Sequence, residues 1–260
     1  MYTFNSDLVD DLARQKVVLF LGSGVSSSAI TASGTRIKGW DAFLRDISSR
    51  VAQPLNTQIT EILEKKDYLL AAELLKRDLQ DDWEFLLTSE FGQNAQPSRL
   101  HESLINLNQR LIFTTNFDKL IESCWGSKIG QSSHLPTIMS GINGNTFRIL
   151  RDHSGKYLIK LHGCIDSPES IIFSRSDYIK MAFGNIMYSS FMDVMLLSHT
   201  FLFIGFSMDD PAISSIMEMY TLRYPNMRPH YILSPSGTPD NIKNIYLQLR
   251  RLKVEGSKNP

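Results

Sequence analysis

The stretch Val17-Val18-Leu19-Phe20-Leu21-Gly22-Ser23-Gly24-Val25-Ser26-Ser27 decides the fold. An unbroken apolar run without polar alternation reads as a strand buried on both faces, the mark of a parallel sheet covered by helices. The run ends in Gly-x-Gly and then small residues. Such a turn brings backbone N–H groups close to a diphosphate and points the next helix's N-terminus at the charge. A full dinucleotide fingerprint carries a third glycine where Ser27 stands, so this motif taken alone also reads as a plain strand-to-helix turn.

Working outward, three more runs have the same character: Leu111–Thr115, Tyr157–Leu161 and Phe201–Phe206. A fifth, His230–Leu233, precedes the breaker cluster Ser234-Pro235-Ser236-Gly237. Weaker strand candidates are Thr146–Leu150, as a hairpin with Tyr157–Leu161 across Asp152-His153-Ser154-Gly155, and Ile171–Phe173. Between the first two strong strands the pattern is helical. Asp41–Val51 places Phe43, Leu44, Ile47 and Val51 on one face, Asp67–Leu79 does the same with Leu70, Leu74 and Leu75, and Arg99–Leu107 follows. Later helices are expected at Asp118–Cys124, Asn185–Ser198, Pro211–Tyr224 and Pro239–Arg251, with Pro211 suited to a first turn. Strands alternating with helices predict an α/β fold: a Rossmann-like parallel sheet with helices on both faces and a helical insertion module. Gly126–Asn145, rich in Gly, Ser and Asn, reads as a mobile loop.

Composition sets the boundaries. The chain has 260 residues, 42% hydrophobic and 21% charged, which excludes a disordered or fibrous protein. Its 27 basic residues balance 27 acidic ones, so no overall charge argues for direct nucleic-acid binding. The N-terminus lacks the basic-then-apolar pattern of a signal peptide, and its most apolar run, Val17–Leu21, is far short of the roughly 20 residues a membrane span needs. No membrane association and a cytoplasmic setting are expected. The two cysteines, Cys124 and Cys164, cannot form a four-thiolate zinc site, and no metal is expected.

Chemistry-bearing residues stand at the ends of the strong strands. Leu111-Ile112-Phe113-Thr114-Thr115-Asn116-Phe117-Asp118 puts Thr115, Asn116 and Asp118 at the carboxyl edge of the sheet, where open α/β folds bind ligands. Asn116 and Asp118 also suit a helix cap. In Ile159-Lys160-Leu161-His162-Gly163 a histidine leaves a strand end to face a cleft, beside a residue with no side chain; its ordinary pKa suits proton transfer near neutrality. Phe201-Leu202-Phe203-Ile204-Gly205-Phe206-Ser207-Met208-Asp209-Asp210-Pro211 ends another strand in a loop suited to the ribose or adenosine end of a nucleotide. Each motif also reads as an ordinary turn; four at four strand ends converge on one crevice.

Together, Gly22-Ser23-Gly24-Val25-Ser26, Thr114-Thr115-Asn116-Phe117-Asp118, Lys160-Leu161-His162-Gly163 and Gly205-Phe206-Ser207-x-x-Asp210 resemble, in order and spacing, the SIR2-like domains of bacterial antiphage defence effectors, distant relatives of the sirtuins. The resemblance runs from about Lys16 to Leu249. It implies one domain over 1–260, with a Rossmann-like core at about 10–30 and 109–250 and a helical module at about 31–108. It further implies cleavage of the nicotinamide–ribose bond of NAD+ to nicotinamide and ADP-ribose, with Asn116 and His162 catalytic. Gly22, Ser23, Gly24, Val25, Ser26, Thr115, Asp118, Gly205, Phe206, Ser207 and Asp210 would bind NAD+.

Two departures matter. Sirtuin deacetylases carry a four-cysteine zinc module that this chain cannot build. The sirtuin arginine loop is not recognisable in Ala32-Ser33-Gly34-Thr35-Arg36-Ile37, so Arg36 receives no role. Cys164 reads as a packed or spectator thiol, and Arg175, Asp177 and Tyr178 follow a candidate strand without an assigned role. Alternatives to the hydrolase are an NAD+ or ADP-ribose sensor without turnover, and an ADP-ribose cyclase or transferase. The family resemblance implies a homo-oligomer or an activator, fused or separate, such as an ATPase or Argonaute-like subunit. A gate over the site is expected from Gly126–Asn145 or the helical module.

Overall fold

The structure, a computed structural model, describes residues 4–127, 136–182, 184–206, 208, 210–234 and 237–256. In chain order the elements begin α1 (Ser6–Ala13), β1 (Val17–Leu21), the single turn α2 (Ser23–Ser26) and β2 (Ile30–Thr31). There follow α3 (Trp40–Ser48), α4 (Leu55–Glu64), α5 (Tyr68–Leu79), α6 (Asp81–Phe91), β3 (Ala95–Gln96), α7 (Arg99–Asn106), β4 (Leu111–Thr114) and α8 (Leu120–Ser127). The second half holds β5 (Thr137–Ser140), β6 (Tyr157–Lys160), α9 (Arg175–Ala182), α10 (Ile186–Ser198), β7 (Thr200–Ile204), α11 (Pro211–Arg223), β8 (His230–Leu233), α12 (Asp240–Arg250) and β9 (Leu252–Glu255).

Seven strands form one sheet in the order β5-β6-β4-β1-β7-β8-β9, and every neighbouring pair is parallel. The α/β expectation therefore holds. β1 sits between β4 and β7, so the chain builds outward on one side of β1 and then returns to the other. That reversal is where doubly wound sheets open a crevice. The order also makes β6, β4, β1 and β7 consecutive, which lines up the four motif-bearing strand ends.

Both faces of the sheet are apolar because successive side chains alternate. Val18 and Phe20 join Phe113, Ile159, Phe201 and Phe203 beneath α10 and α11, where Phe191, Met192, Met195, Met217 and Tyr220 complete the layer. Val17, Leu19 and Leu21 point the other way, to Ile112, Leu158 and Leu202, covered by Leu8 of α1, Leu104 of α7 and Ile121 and Trp125 of α8. A third cluster fills the helical module, with Phe43, Leu44, Ile47, Leu63, Leu75, Trp83 and Phe91. It continues into Phe117, Ile165 and Phe173, which lie in the chain beyond β4 and β6. The module is thereby packed onto the segments that carry Asn116 and His162.

Several expectations are corrected. Thr146–Leu150 is a 3-10 helix rather than a hairpin strand. Thr146 and Ile149 are its buried residues, a three-residue spacing, and Asn143 and Thr146 close a turn on each other's backbone and hydroxyl groups. The strand beside β6 is instead β5, parallel to it, inside the stretch expected as a loop; residues 128–135 of that stretch lie outside the described residues. Ile171–Phe173 forms no strand among the described residues, although the Ile172 N–H donates to His162 O at 3.0 Å. No helix among the described residues is long and apolar enough to cross a membrane.

Candidate active site

The glycines of the first and fourth motifs meet each other. The Gly22 N–H donates to Ile204 O at 2.9 Å and the Gly24 N–H to Gly205 O at 3.0 Å. A Cβ on Gly22 would lie 2.5 Å from Gly205 O, and one on Gly24 2.9 Å from Gly205 Cα. Gly205 has φ +73°, and its Cβ would meet Val25 N at 2.7 Å. The loops after β1 and β7 are thus stitched backbone to backbone, and the Gly22 and Gly24 amides are engaged there. Val25 is fully buried in the core, while Ser23, Gly205 and Phe206 line a cleft.

This cleft, about 370 Å³, is also lined by Thr115 and Asp210 from the sheet side and by Gly39, Trp40, Asp41, Ala42 and Tyr68 from the module. A recess of about 20 Å³ has Ser23, Trp40 and Thr115 in common with it and adds Ser26, Lys38, Asn116 and Asp118. That volume is close to one water-sized group. Ser207 lies outside the described residues.

Asn116 is held by a directional network. Its Nδ2 donates to Gly22 O at 2.9 Å and to Ser26 Oγ at 2.8 Å, and Ser26 Oγ donates to Asp118 Oδ2 at 2.5 Å. A carbonyl and a carboxylate only accept, so the direction of each bond follows: both amide hydrogens are used, and Asn116 Oδ1 is left as the acceptor. Asp118 Oδ1 accepts the Leu120 N–H at 3.0 Å, capping α8 in the way its residue type favours. Capping and site-building are here one function.

Lys160, which the sequence marks only as part of a motif, ties two motifs together. It is fully buried; its Nζ donates to Glu122 Oε1 at 2.7 Å, Phe117 O at 3.2 Å and Asp118 O at 2.5 Å. All three ammonium hydrogens thus have acceptors, two of them backbone carbonyls of the Asn116–Asp118 loop.

His162 does not face the cleft as its sequence context suggests; it is fully buried. Its Nδ1 lies 3.3 Å from Tyr178 Oη, and its Nε2 has no hydrogen-bond partner, standing 3.8 Å from Asp210 Oδ2. Burial pushes the imidazole pKa down, against an upward pull from Asp210, so the ring is neutral near pH 7. Asp210 is the member of this cluster that reaches the cleft. It accepts the Tyr178 hydroxyl at Oδ2, 3.2 Å, and the Ile213 N–H at Oδ1, 3.2 Å.

Of the residues without a role, Tyr178 joins the cluster. Asp177 pairs with Lys76 at 2.9 Å and Arg175 with Asp67 at 2.9 Å, fastening α9 to α5. Arg36 is exposed and Cys164 is a free thiol, and neither lines the cleft or its recess. Among the described residues no group of three or more His, Cys, Asp or Glu could hold a metal. Trp40, Asp41 and Tyr68 carry no sequence signal, because they sit at helix starts whose neighbours follow an ordinary amphipathic pattern.

Residues 110–254, more than half of the chain, match the SIR2-like domain model. The chain belongs to the SIR2-like domain family. It is 26% identical over 227 residues to the NAD(+) hydrolase ThsA of Enterococcus faecium, covering 85% of this chain and 44% of that protein. It is 24% identical over 233 residues to the protein of the same name from Bacillus cereus (strain MSX-D12), covering 88% and 45%. Defense-associated sirtuin 2 of Bacillus subtilis is 23% identical over 175 residues, covering 65% of this chain and 16% of that protein. The SIR2-like domain described here spans less than half the length of these relatives.

Proposed function

We propose that this SIR2-like domain hydrolyses NAD+ to nicotinamide and ADP-ribose and, by depleting NAD+, acts in antiphage defence. The carrying observation is that Ser23, Thr115, Gly205, Phe206 and Asp210, from three of the motif-bearing strand ends, line one shared cleft, adjoined by the Asn116 recess. The names of the relatives support the same reading. NAD+ supplies a cationic leaving group, so the reaction passes through positive charge on the ribose, which a site stabilises by fixed acceptors and charge.

Within that reading Asn116 Oδ1 accepts a hydroxyl of the ribose or the attacking water, in a recess with room for one such group. The Asp210 carboxylate places negative charge on the cleft wall opposite the developing cation. Water oxygen bonds to the anomeric carbon, the carbon–nitrogen bond breaks with its electron pair staying on the pyridine nitrogen, and one water proton leaves. His162 Nε2 faces Asp210 rather than the cleft, so that proton reaches it by way of the Asp210 carboxylate. A proton on Nε2 then stands 3.8 Å from a negative charge, which favours its uptake. The module supplies flat apolar surface in Trp40. An activating partner or self-assembly belongs to the proposal as well.

The test is nicotinamide release from NAD+, followed by chromatography over a range of protein concentrations. Release by the parent protein, abolished in Asn116→Ala and Asp210→Asn variants that still melt cooperatively, supports the hydrolase. Calorimetric NAD+ binding without release at any concentration would replace it with the sensor reading, and a cyclic product would replace it with the cyclase.

A further inference from the structure

We propose that Tyr178 is a positioning residue that sets the tautomer of His162, holding the proton on Nδ1 and leaving Nε2 bare as the proton acceptor. The inference deepens the hydrolase reading and rests on it for its catalytic meaning, whereas the tautomer itself follows from geometry alone.

Tyr178 lies on α9, nearly buried, with its ring edge-on to the imidazole at 5.1 Å between centroids. Its oxygen has two neighbours, Asp210 Oδ2 at 3.2 Å and His162 Nδ1 at 3.3 Å. A phenol has one hydrogen to give. The carboxylate can only accept, so that hydrogen goes to Asp210, and the phenol oxygen offers His162 lone pairs alone. Nδ1 must therefore be the donor. A neutral imidazole has one N–H, and Nε2, the atom with no partner, is then unprotonated. Free imidazole side chains favour the opposite tautomer, so the arrangement is imposed by the protein.

The groups packed around the ring agree. From the residue just before α11 comes Asp210, from α9 Tyr178, and from α10 Tyr188, whose hydroxyl is buried and whose pKa burial and Asp210 push far up. Lys160, two residues before His162, has its ammonium on Glu122, Phe117 O and Asp118 O. Burial and Asp210 hold the Tyr178 hydroxyl well above its ordinary pKa, so it keeps the hydrogen this chain needs. The position of α9 is itself secured by the Asp177–Lys76 and Arg175–Asp67 pairs, through which the module bears on the histidine.

The experiment is nitrogen NMR of the full chain labelled at histidine, with His162 assigned from the signals lost in His162→Gln. At pH 7 the parent protein is expected to show His162 protonated at Nδ1 with Nε2 in the acceptor range. Tyr178→Phe, which deletes one oxygen, is expected to move the proton to Nε2. In the same variant kcat should fall about 10- to 100-fold, a fraction of what general-base catalysis supplies, with KM changed by less than about 3-fold and the acid limb of the kcat profile displaced upward as Nε2 gains a direct claim on Asp210. A parent spectrum with Nε2 protonated, or a Tyr178→Phe spectrum unchanged from the parent, overturns the proposal. The parent spectrum decides the first point even if the variant fails to fold. Absence of NAD+ hydrolysis in the parent would instead overturn the functional reading and leave the tautomer result standing.

Discussion

Replacing Asn116 by Asp changes almost no volume and removes both amide donors, so it isolates the orientation of that side chain. In the parent, Nδ2 serves Gly22 O at 2.9 Å and Ser26 Oγ at 2.8 Å in a site where Asn116, Asp118 and Ser26 are all buried. In Asn116→Asp two hydrogen bonds worth about 1 kcal/mol each are lost, and Gly22 O is left facing another acceptor, a desolvation cost of about 1–3 kcal/mol. The expected loss near pH 7.5 is therefore about 3–5 kcal/mol. The new carboxyl, next to Gly22 O and one hydroxyl away from Asp118, has a folded-state pKa above the ordinary aspartate value of about 3.9. A raised folded pKa makes the penalty full above that raised value and lets it fade as the pH drops toward about 3.9. Urea denaturation of variant and parent at matched pH reads the difference directly, at pH 7.5 and again at pH 5, with nicotinamide release measured alongside. A loss below about 1 kcal/mol at pH 7.5, or one that does not shrink on acidification, refutes the orientation and with it Oδ1 as the site's acceptor.

Gly205→Ala places a Cβ 2.7 Å from Val25 N at φ +73°; a loss of about 2 kcal/mol or more, from strain and forced backbone movement, should appear as a lower melting temperature. Burial holds the His230 pKa down at about 3, below its unfolded value of about 6.5. Stability present above pH 6.5 is accordingly lost as the pH falls toward 3. At pH 5 this amounts to about 2 kcal/mol from His230 alone, with His101 and His162, whose pKa values are also lowered by burial, acting in the same direction; urea midpoints equal at pH 7 and pH 5 would contradict it. Lys160→Met strips Glu122 of its cation and two backbone carbonyls of their donor, with an expected loss of about 3–5 kcal/mol that Glu122→Gln in the same chain should reduce, as double-mutant denaturation would show.

The parallel sheet was readable because buried strands are apolar on both sides: Val17–Leu21 and Leu111–Thr114 have no other reading between a turn and a helix. Thr146–Leu150 was not, since a five-residue segment with Phe147, Ile149 and Leu150 apolar satisfies a 3-10 turn and a strand equally, and only the Asn143–Thr146 contacts decide. β5 and β9 escaped for the opposite reason. They are edge strands with exposed or mixed residues, and their partners lie elsewhere in the chain. At the site, Asn116, Asp118 and Asp210 were marked by their place at strand ends. The withdrawal of His162 behind Asp210, the engagement of Tyr178 and the inward reach of Lys160 depend on which helix covers which strand end, a long-range fact no local motif encodes.

In the contact among Gly22, Gly24 and Gly205 the atom nearest to each added Cβ is main chain, with the Phe206 ring also against Gly22. A larger residue at any of the three cannot be accommodated by trimming a neighbour, because the neighbour is main chain, so these positions lack the compensating partners through which most packing changes are tolerated. It also joins the ends of β1 and β7 into one rigid corner. Opening of the cleft then falls to its other wall, where Trp40 and Tyr68 stand at the starts of α3 and α5, and where repacking can turn access to the site up or down without disturbing the corner.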